Sequence, residues 1–293
     1  MQTGGRVMVF RTETGENVLD ERPELWKAST SPDLTGTQWR QNYGESIWAG
    51  PQGVWWTEEE PYPPRKPRKV NLPSDNWPPD PAWETAPFTL VETTPTQVIL
   101  RSPVSQLTGL QLTKTVELLP DGKLKLHASV MNCGDRTVTR DLWFLQRVPP
   151  AARCFLPLKS EMAEKGFLEV ATLQKIDGLT VLEQKTAPLH QVYGKMFAVP
   201  DKPWMAAAWH GVFFIVHFQP VDTSKIAMGQ AGLEVYCSSL PDVLCEIEHH
   251  DEMKTLKPGE KRESEETWEI VPDRGGGGTE AQAHFLQTLL TSH

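Results

Sequence analysis

The sequence predicts one large all-β domain of antiparallel strands, followed by a short C-terminal helix. Apolar and polar residues alternate with a period of two along most of the chain, as expected for strands that bury one face. The 25 prolines and 21 glycines interrupt these stretches at intervals typical of a sandwich or barrel. We therefore expect residues 1–273 to form the β domain and residues 274–293 to form a glycine-rich tether and the helix.

The strands are predicted, in order, from the alternation and the turns between them. A first strand lies around Val7 and Val9, and residues 110–132 form two strands that meet at a PDG turn. The other predicted strands cover residues 96–101, 141–148, 178–184, 204–218, 233–237, 243–250 and 266–271.

Two short helices are expected. One covers residues 160–166, and the other covers residues 280–290, where four apolar residues share one side. The second helix follows Gly275–Gly278, so it either packs on the β domain or frays.

Composition excludes several classes of function. The net charge of −9 disfavours a nucleic-acid partner. No apolar run reaches 18 residues, which argues against a membrane-spanning helix. The N-terminal residues lack the apolar core of a signal peptide, so we expect a cytoplasmic protein, although a signal peptide already removed is left open. The four cysteines form no C-x-x-C pair, which indicates free thiols in a reducing compartment rather than a zinc site.

Tryptophan is concentrated in segments that cannot be helical. Seven of the eleven tryptophans precede residue 84, among them those in GESIWAGPQGVWW (44–56) and NWPPDPAWE (76–84). They either fill the seam between a wrapping loop and a sheet or stack on the apolar face of a sugar ring. For the second role we single out Trp48 and Trp77, with Gln52 in the same loop.

Several segments together resemble the galactose-mutarotase-like superfamily, the β-supersandwich fold of the aldose epimerases, and are most similar to its bacterial branch of uncharacterised members. The resemblance covers residues 4–272. The segments that carry it are GGRVMVFRTETGENVL, GESIWAGPQGVWW, NWPPDPAWE, TGLQLTKTVEL, MNCGDRTVTRDLWFLQ, LEVYCS, LCEIEHH and LKPGEKRESEETWEI.

The resemblance implies a histidine acid and a glutamate base that open a sugar ring. It implies a histidine near Leu145, but the strand DLWFLQRV (141–148) contains none. We therefore consider His217 and His210 as replacement acids. The glutamate is expected on LCEIEHH, where alternation places Glu246, Glu248 and His250 on one face, the carboxylates roughly 7 Å apart. An edge strand with a polar, solvated face explains the same pattern.

Three further charged residues are candidates for substrate binding. Lys114 shares a face with four aliphatic residues, so it is paired, lines a cavity or reaches the sheet margin. Arg147 lies on the strand that lacks the histidine and can bind a carboxylate. Glu234 precedes Val235 and Tyr236 in LEVYC and either binds a sugar hydroxyl or faces water.

Three functions remain open from the sequence. The first is an epimerase-like isomerase acting on a sugar or sugar acid, and the second is a carbohydrate-binding protein without chemistry. The third is a lyase or hydrolase of an acidic polysaccharide, for which Arg147 and Tyr236 are candidates. We expect a sugar or oligosaccharide partner and no cofactor. We expect no metal, because the adjacent His249 and His250 point to opposite faces of a strand.

Overall fold

The computed structural model describes residues 3–26, 41–56, 76–185, 190–239 and 243–291. Within them, four α-helices are formed by α1 Pro23–Trp26, α2 Pro81–Glu84, α3 Lys165–Val170 and α4 Thr279–Thr291. The strands of the same residues are β1 Glu45–Gly50, β2 Thr89–Thr93, β3 Gln97–Arg101, β4 Leu110–Leu118, β5 Leu124–Asn132, β6 Val138–Val148, β7 Arg153–Leu156, β8 Leu158–Ala163, β9 Ala171–Ile176, β10 Leu179–Gln184, β11 Tyr193–Pro200, β12 Trp204–Trp209, β13 Val212–Phe218, β14 Leu233–Ser238, β15 Leu244–His250, β16 Lys254–Leu256 and β17 Lys261–Pro272.

The strands form two antiparallel sheets. The smaller sheet has the order β1-β6-β15-β14-β11-β8, and β16 also pairs with β6. The larger sheet has ten strands in the order β2-β3-β4-β5-β17-β13-β12-β7-β10-β9. The predicted antiparallel β fold with a C-terminal helix is confirmed. None of the helices in the described part of the chain has the length and apolar composition needed to cross a bilayer.

The main core lies between the two sheets. Strand β5 shows the pattern that builds it, with every second residue buried, including Leu126, Ala128 and Val130. A different pattern occurs on β6, where all eight residues from Asp141 to Val148 are buried. One face of β6 packs into the core, so its other face is covered by something else.

Tryptophans of β1 and of the segments that follow it pack on the outer face of β6. Trp48, Trp55 and Trp143 form a cluster with ring centroids 4.9 to 5.8 Å apart, and Trp77 joins at its edge. The Trp48 indole donates to Glu84 on α2 at 2.7 Å. These tryptophans therefore build a wall on the outer face of the small sheet.

Helix α4 packs on the outer face of the large sheet. Its Ala283 and Leu286 are buried against a cluster that includes Phe213 and Ile215 of β13. The helix packs on the β domain rather than fraying, because its apolar side covers an equally apolar part of the sheet.

Two elements differ from the sequence prediction. The segment around Val7 and Val9 forms no strand. The Val7 carbonyl accepts from the Glu45 N–H at 3.0 Å, but this bond does not extend into a ladder. The helix expected at 160–166 begins later, at Lys165, because residues up to Ala163 pair with β11 in the small sheet.

Candidate functional site

A cleft of about 450 Å³ lies on the outer face of the small sheet, beside the tryptophan wall. Its aromatic lining consists of Trp48, Trp77, Trp143, Tyr193, Phe197 and Tyr236. Its charged lining, within the described residues, consists of Glu164, Lys195, Glu246 and Glu248. Gln52 also lines the cleft. Enclosed aromatic walls with a few charged groups are typical of small-molecule sites.

Strand β15 brings two carboxylates to the cleft. Glu246 and Glu248 are separated by Ile247, which points into the core, so both side chains reach the outer face. Glu248 is 1% exposed, and its Oε2 accepts the Trp143 indole N–H at 2.8 Å. Its Oε1 makes no hydrogen bond to any described residue. Glu248 therefore presents one unused oxygen in the cleft.

Lys195 of β11 is the cation of the cleft. Its Nζ lies 2.5 Å from Glu234 Oε2 and 3.0 Å from Glu248 Oε2. The same ammonium lies 4.2 Å from the centre of the Trp143 ring, close enough for a cation–π contact. Lys195 thus joins the two carboxylates across neighbouring strands.

Glu234 also contacts buried charged residues on the side away from Lys195. Glu234 Oε1 accepts the Ala231 N–H at 2.8 Å and lies 3.4 Å from His250 Nε2. His250 Nδ1 lies 2.7 Å from Asp141 Oδ2. A Cβ at Gly50 would collide with the Asp141 carboxylate, so the close packing of this aspartate requires glycine there. Positive and negative groups alternate from Asp141 to Glu248.

The ionisation of these groups follows from burial and neighbouring charge. Burial raises the pKa of Glu248, the charge of Lys195 opposes the rise, and the charges of Glu246 and Glu234 add to it, so that the resulting pKa is about 7. Burial acts in the same direction on Glu234, but the charges of Lys195 and His250 outweigh it and lower the pKa of Glu234 to about 2. The cleft therefore contains one carboxyl that exchanges its proton near neutral pH.

The two cationic members stay charged. Burial disfavours the charged form of His250, but Glu234 and Asp141 outweigh it and raise its pKa to about 9. Burial likewise opposes the charge of Lys195, but Glu248 and Glu234 raise the pKa of Lys195 above its usual value. Lys195 is therefore a fixed positive charge rather than a proton donor at neutral pH.

Arg147 lies behind the cleft wall rather than in it. Its side chain is fully buried, with Nε 2.7 Å from Glu246 Oε1 and Nη1 donating to Ser46 Oγ at 2.9 Å. The expectation that Arg147 contacts a ligand is corrected, because Glu246 stands between the guanidinium and the cleft. Arg147 instead holds Glu246.

Lys114 is also displaced from its expected role. It lies between the sheets, where Nζ donates to Glu45 Oε1 at 2.8 Å and Oε2 at 3.0 Å, and both side chains are fully buried. Its inward direction agrees with the sequence pattern, but the space it enters is the core. Lys114 is a buried ion pair, not a residue of the cleft.

The two histidines considered as replacement acids lie outside the cleft. His217 is on β13 in the large sheet, where its Nε2 lies 2.7 Å from Glu269 Oε1. His210 is at the β12–β13 turn, and its ring centre lies 4.2 Å from that of Trp209. These placements correct the expectation, because both residues belong to the sheet on the far side of the core.

Lys195 and Trp143 are the residues that sequence reasoning missed. Strand β11 alternates clearly, with Gly194, Met196 and Ala198 buried and Lys195 between them. That alternation assigns Lys195 to the outer face. Its distance from Glu248 depends on the neighbour order β11-β14-β15, which is a property of the fold.

One set of side chains among the described residues has the spacing of metal ligands. Glu234, Glu248 and His250 each offer an atom within 4.8 Å of the others. The Lys195 ammonium contacts both carboxylates of this set, and His250 is already held by Asp141. The ammonium of Lys195 therefore takes the place that a cation would occupy between these carboxylates.

Comparisons with known proteins agree with this architecture. A sequence model of the family described as domain of unknown function DUF4380 matches residues 1–271. No curated protein matches the chain. The structure of the Slr1438 protein from Synechocystis sp. PCC 6803 is 12% identical with a TM-score of 0.56, and the match covers 92% of this chain and 90% of that one.

Two further solved structures show the range of matches. A TPR-domain containing protein from Parabacteroides distasonis is 14% identical with a TM-score of 0.53; the match covers 92% of this chain but 44% of that longer one. A galactose mutarotase-like protein from Lactobacillus casei is 12% identical with a TM-score of 0.47, covering 78% of this chain and 85% of that one. These likenesses concern the fold alone.

Proposed function

The chain belongs to the family described as domain of unknown function DUF4380, and we propose that it is a sugar isomerase that interconverts anomers in the cleft of the small sheet. Glu248 transfers the proton of the anomeric hydroxyl. Lys195 holds the Glu248 carboxylate, and the aromatic lining holds the sugar ring.

The observation that carries the proposal is the state of Glu248. It is buried and lines the cleft, one of its oxygens is unused by described residues, and its pKa is raised to about 7. A base or acid whose pKa lies near the working pH is the most effective for proton transfer. An ordinary surface carboxylate lacks this property.

The lining of the cleft suits a sugar. The faces of a sugar ring are apolar and pack on aromatic rings, while its hydroxyls need hydrogen-bonding partners. Trp77, Trp143 and Tyr236 offer the first, and Gln52 and Glu246 offer the second. Trp48 is 3% exposed and supports the wall, since its indole is bonded to Glu84.

The proposed reaction balances with two proton transfers. Glu248 Oε1 takes the proton of the anomeric hydroxyl as the bond between C1 and the ring oxygen breaks. The ring oxygen takes a proton from a hydroxyl group, for which Tyr193 in the cleft lining is the candidate, because burial and the charge of Glu246 raise the pKa of Tyr236 and disfavour its loss of a proton. Closure on the other face of C1 reverses both transfers and returns the enzyme to its starting state.

The test begins with a panel of hexoses, each examined for accelerated exchange between anomers by saturation-transfer NMR. The proposal predicts exchange with wild type that falls by about 10²-fold or more in Glu248→Gln. Glu265→Gln is the matched control, because Glu265 is a partly exposed carboxylate paired with Lys125 on the large sheet. Unchanged exchange in Glu248→Gln would exclude Glu248 as the proton-transfer group.

A carbohydrate-binding protein without chemistry is the second candidate. It is favoured by one observation: within the described part of the chain, no histidine lines the cleft. Binding of a sugar without faster exchange between its anomers would decide for this function.

A lyase or hydrolase of acidic polysaccharides receives less support. Such an enzyme needs a cation that neutralises the carboxylate of its substrate. Arg147 is turned toward Glu246, and Lys195 is already bound to two glutamates. The described lining of the cleft offers no further lysine or arginine for that role.

A further inference from the structure

We propose that the ligand of the cleft is an amino sugar, whose ammonium group is bound by the carboxylate of Glu246, beside the Glu248 oxygen that takes the anomeric proton. The inference names the substrate class of the same site and rests on the proposed sugar-binding function. It follows from which carboxylate oxygens remain unused and from the charge around them.

Two carboxylate oxygens on one strand face the cleft without a donor. Glu248 uses Oε2 for Trp143 and Lys195, and Glu246 uses Oε1 for Arg147. The remaining oxygens, Glu248 Oε1 and Glu246 Oε2, make no hydrogen bond to described residues. Both residues line the cleft, so a ligand that supplies donors to these oxygens breaks no hydrogen bond with the described residues.

Charge decides which donor fits best. Lys195 is shared between Glu234 and Glu248, so its single positive charge does not neutralise both carboxylates. Glu164 also lines the cleft, where its Oε2 accepts the backbone N–H of Lys195 and not a cationic side chain. Carboxylates thus exceed available cations in the described lining, and a positively charged donor forms stronger bonds with them than a hydroxyl does.

The floor of the cleft already stabilises an ammonium group. Lys195 Nζ lies over the Trp143 ring and contacts two carboxylates, which is the combination that a protein uses to bind an amine. Tyr193 and Tyr236, whose ring centres are 6.4 Å apart, extend the aromatic lining on the side of Glu246. A second ammonium, carried by a sugar ring, would likewise contact a carboxylate beside aromatic rings.

The same charges disfavour a sugar acid. A carboxylate placed in the cleft lies near Glu246 and Glu248 with no unshared cation among the described lining residues. Like charges in a partly desolvated site repel each other and cost binding energy. The structure thus favours an amino sugar over the sugar acid considered from the sequence.

The experiment compares three forms of one hexose: the 2-amino sugar, the neutral sugar and the uronic acid. Dissociation constants are measured by protein-detected NMR at neutral pH, in the gluco, galacto and manno series. We expect the amino sugar to bind roughly tenfold more tightly than the neutral form, and the uronic acid to bind more weakly than both. The N-acetylated amino sugar, which carries no charge, should lose the advantage.

Two controls separate charge from shape. Glu246→Gln should abolish the preference, so that the amino and neutral sugars bind with equal dissociation constants, and Glu265→Gln should leave the preference unchanged. If Glu246→Gln unfolds, high salt applied to wild type serves instead, because screening reduces the advantage of the charged ligand only. Equal binding of the amino and neutral forms, or tighter binding of the uronic acid, would overturn the inference.

The outcome is separable from that of the proposed function. Accelerated exchange of a neutral hexose that depends on Glu248, without preference for its amino form, retains the isomerase and overturns the substrate class. A preference for the amino form that depends on Glu246, without exchange, retains the substrate class and overturns the isomerase.

Discussion

Two lysines, the buried Lys114 and the partly exposed Lys195, show how similar ion pairs serve different purposes in this protein. Lys114 joins the two sheets through Glu45, and neither side chain is exposed. Lys195 joins Glu234 and Glu248 on the outer face of the small sheet, and its side chain is 16% exposed. Both lysines look alike in sequence, as single cations in alternating strands.

The difference lies in the unused atoms of their partners. Both oxygens of Glu45 are bound by Lys114, and Oε2 also accepts the Val7 N–H at 3.2 Å. Glu248 keeps one oxygen open to a cleft. A buried ion pair whose atoms are all satisfied holds the fold together, whereas one with an open acceptor can bind or exchange a proton.

The largest predicted effect concerns stability. Lys114→Met should lower the free energy of unfolding by about 3–5 kcal/mol, because it leaves the buried, charged Glu45 without the lysine that binds both of its oxygens. Lys195→Met should cost less, since the cleft admits water to Glu248. Urea denaturation of both variants measures the difference. A greater loss in Lys195→Met would show that the two pairs have been assigned the wrong roles.

The second prediction is a dependence of stability on pH. The folded pKa of Glu248, about 7, lies above its usual value of 4.5. Folding therefore favours the protonated form; this contribution is present below about pH 4.5 and is lost as the pH rises through 7. Glu248→Gln should gain stability relative to wild type across that range, by up to about 3 kcal/mol.

Unfolding curves of wild type and Glu248→Gln at a series of pH values test this. His250 titrates in both proteins, so its contribution cancels in the difference. A constant difference between the two proteins from pH 4.5 to 8 would mean that the Glu248 carboxyl is not perturbed.

The third prediction concerns how Lys195 affects the pH dependence of exchange between anomers. Anomeric exchange should increase with pH as Glu248 loses its proton, with a midpoint near its pKa of about 7. In Lys195→Met the carboxylate loses its cation, and the midpoint should move upward by roughly one unit or more. Exchange rates measured across pH give both midpoints. An unchanged midpoint would show that Lys195 does not affect the pKa of Glu248.

The smallest effect is expected at His217. Its side chain is 35% exposed and pairs with Glu269 on the far sheet. Exposed pairs contribute about 0–1 kcal/mol, so His217→Gln should change the free energy of unfolding by no more than that. It should leave exchange between anomers unchanged. A large loss of exchange would return His217 to the site.

The sequence predicted which face of the sheet each side chain occupies better than it predicted which residues that side chain contacts. Alternation in LCEIEHH correctly groups Glu246, Glu248 and His250, and it correctly turns Lys114 inward. It does not reveal that Lys114 meets Glu45 across the core, because that contact joins residues 69 positions apart in different sheets.

Long-range pairing explains the other differences. His217 follows a buried strand pattern, but β13 belongs to the large sheet, and no local feature of VFFIVHF distinguishes the sheets. Lys195 was missed because its two partners lie on β14 and β15, which follow it in the chain and neighbour it only in the folded sheet. Local alternation indicates which face of a strand a side chain occupies, while the order of the strands in the sheet determines which side chains meet at the site. The cytoplasmic location remains a prediction from the sequence.

The most direct measurement follows the indole N–H signal of Trp143 by NMR. This group donates to Glu248 Oε2 and so reports both the protonation of Glu248 and the filling of the cleft. We expect the Trp143 signal to titrate with a midpoint near pH 7, to shift when a hexose binds, and to lose the pH step in Glu248→Gln. A Trp143 signal that responds neither to pH between 5 and 9 nor to any sugar would contradict the account.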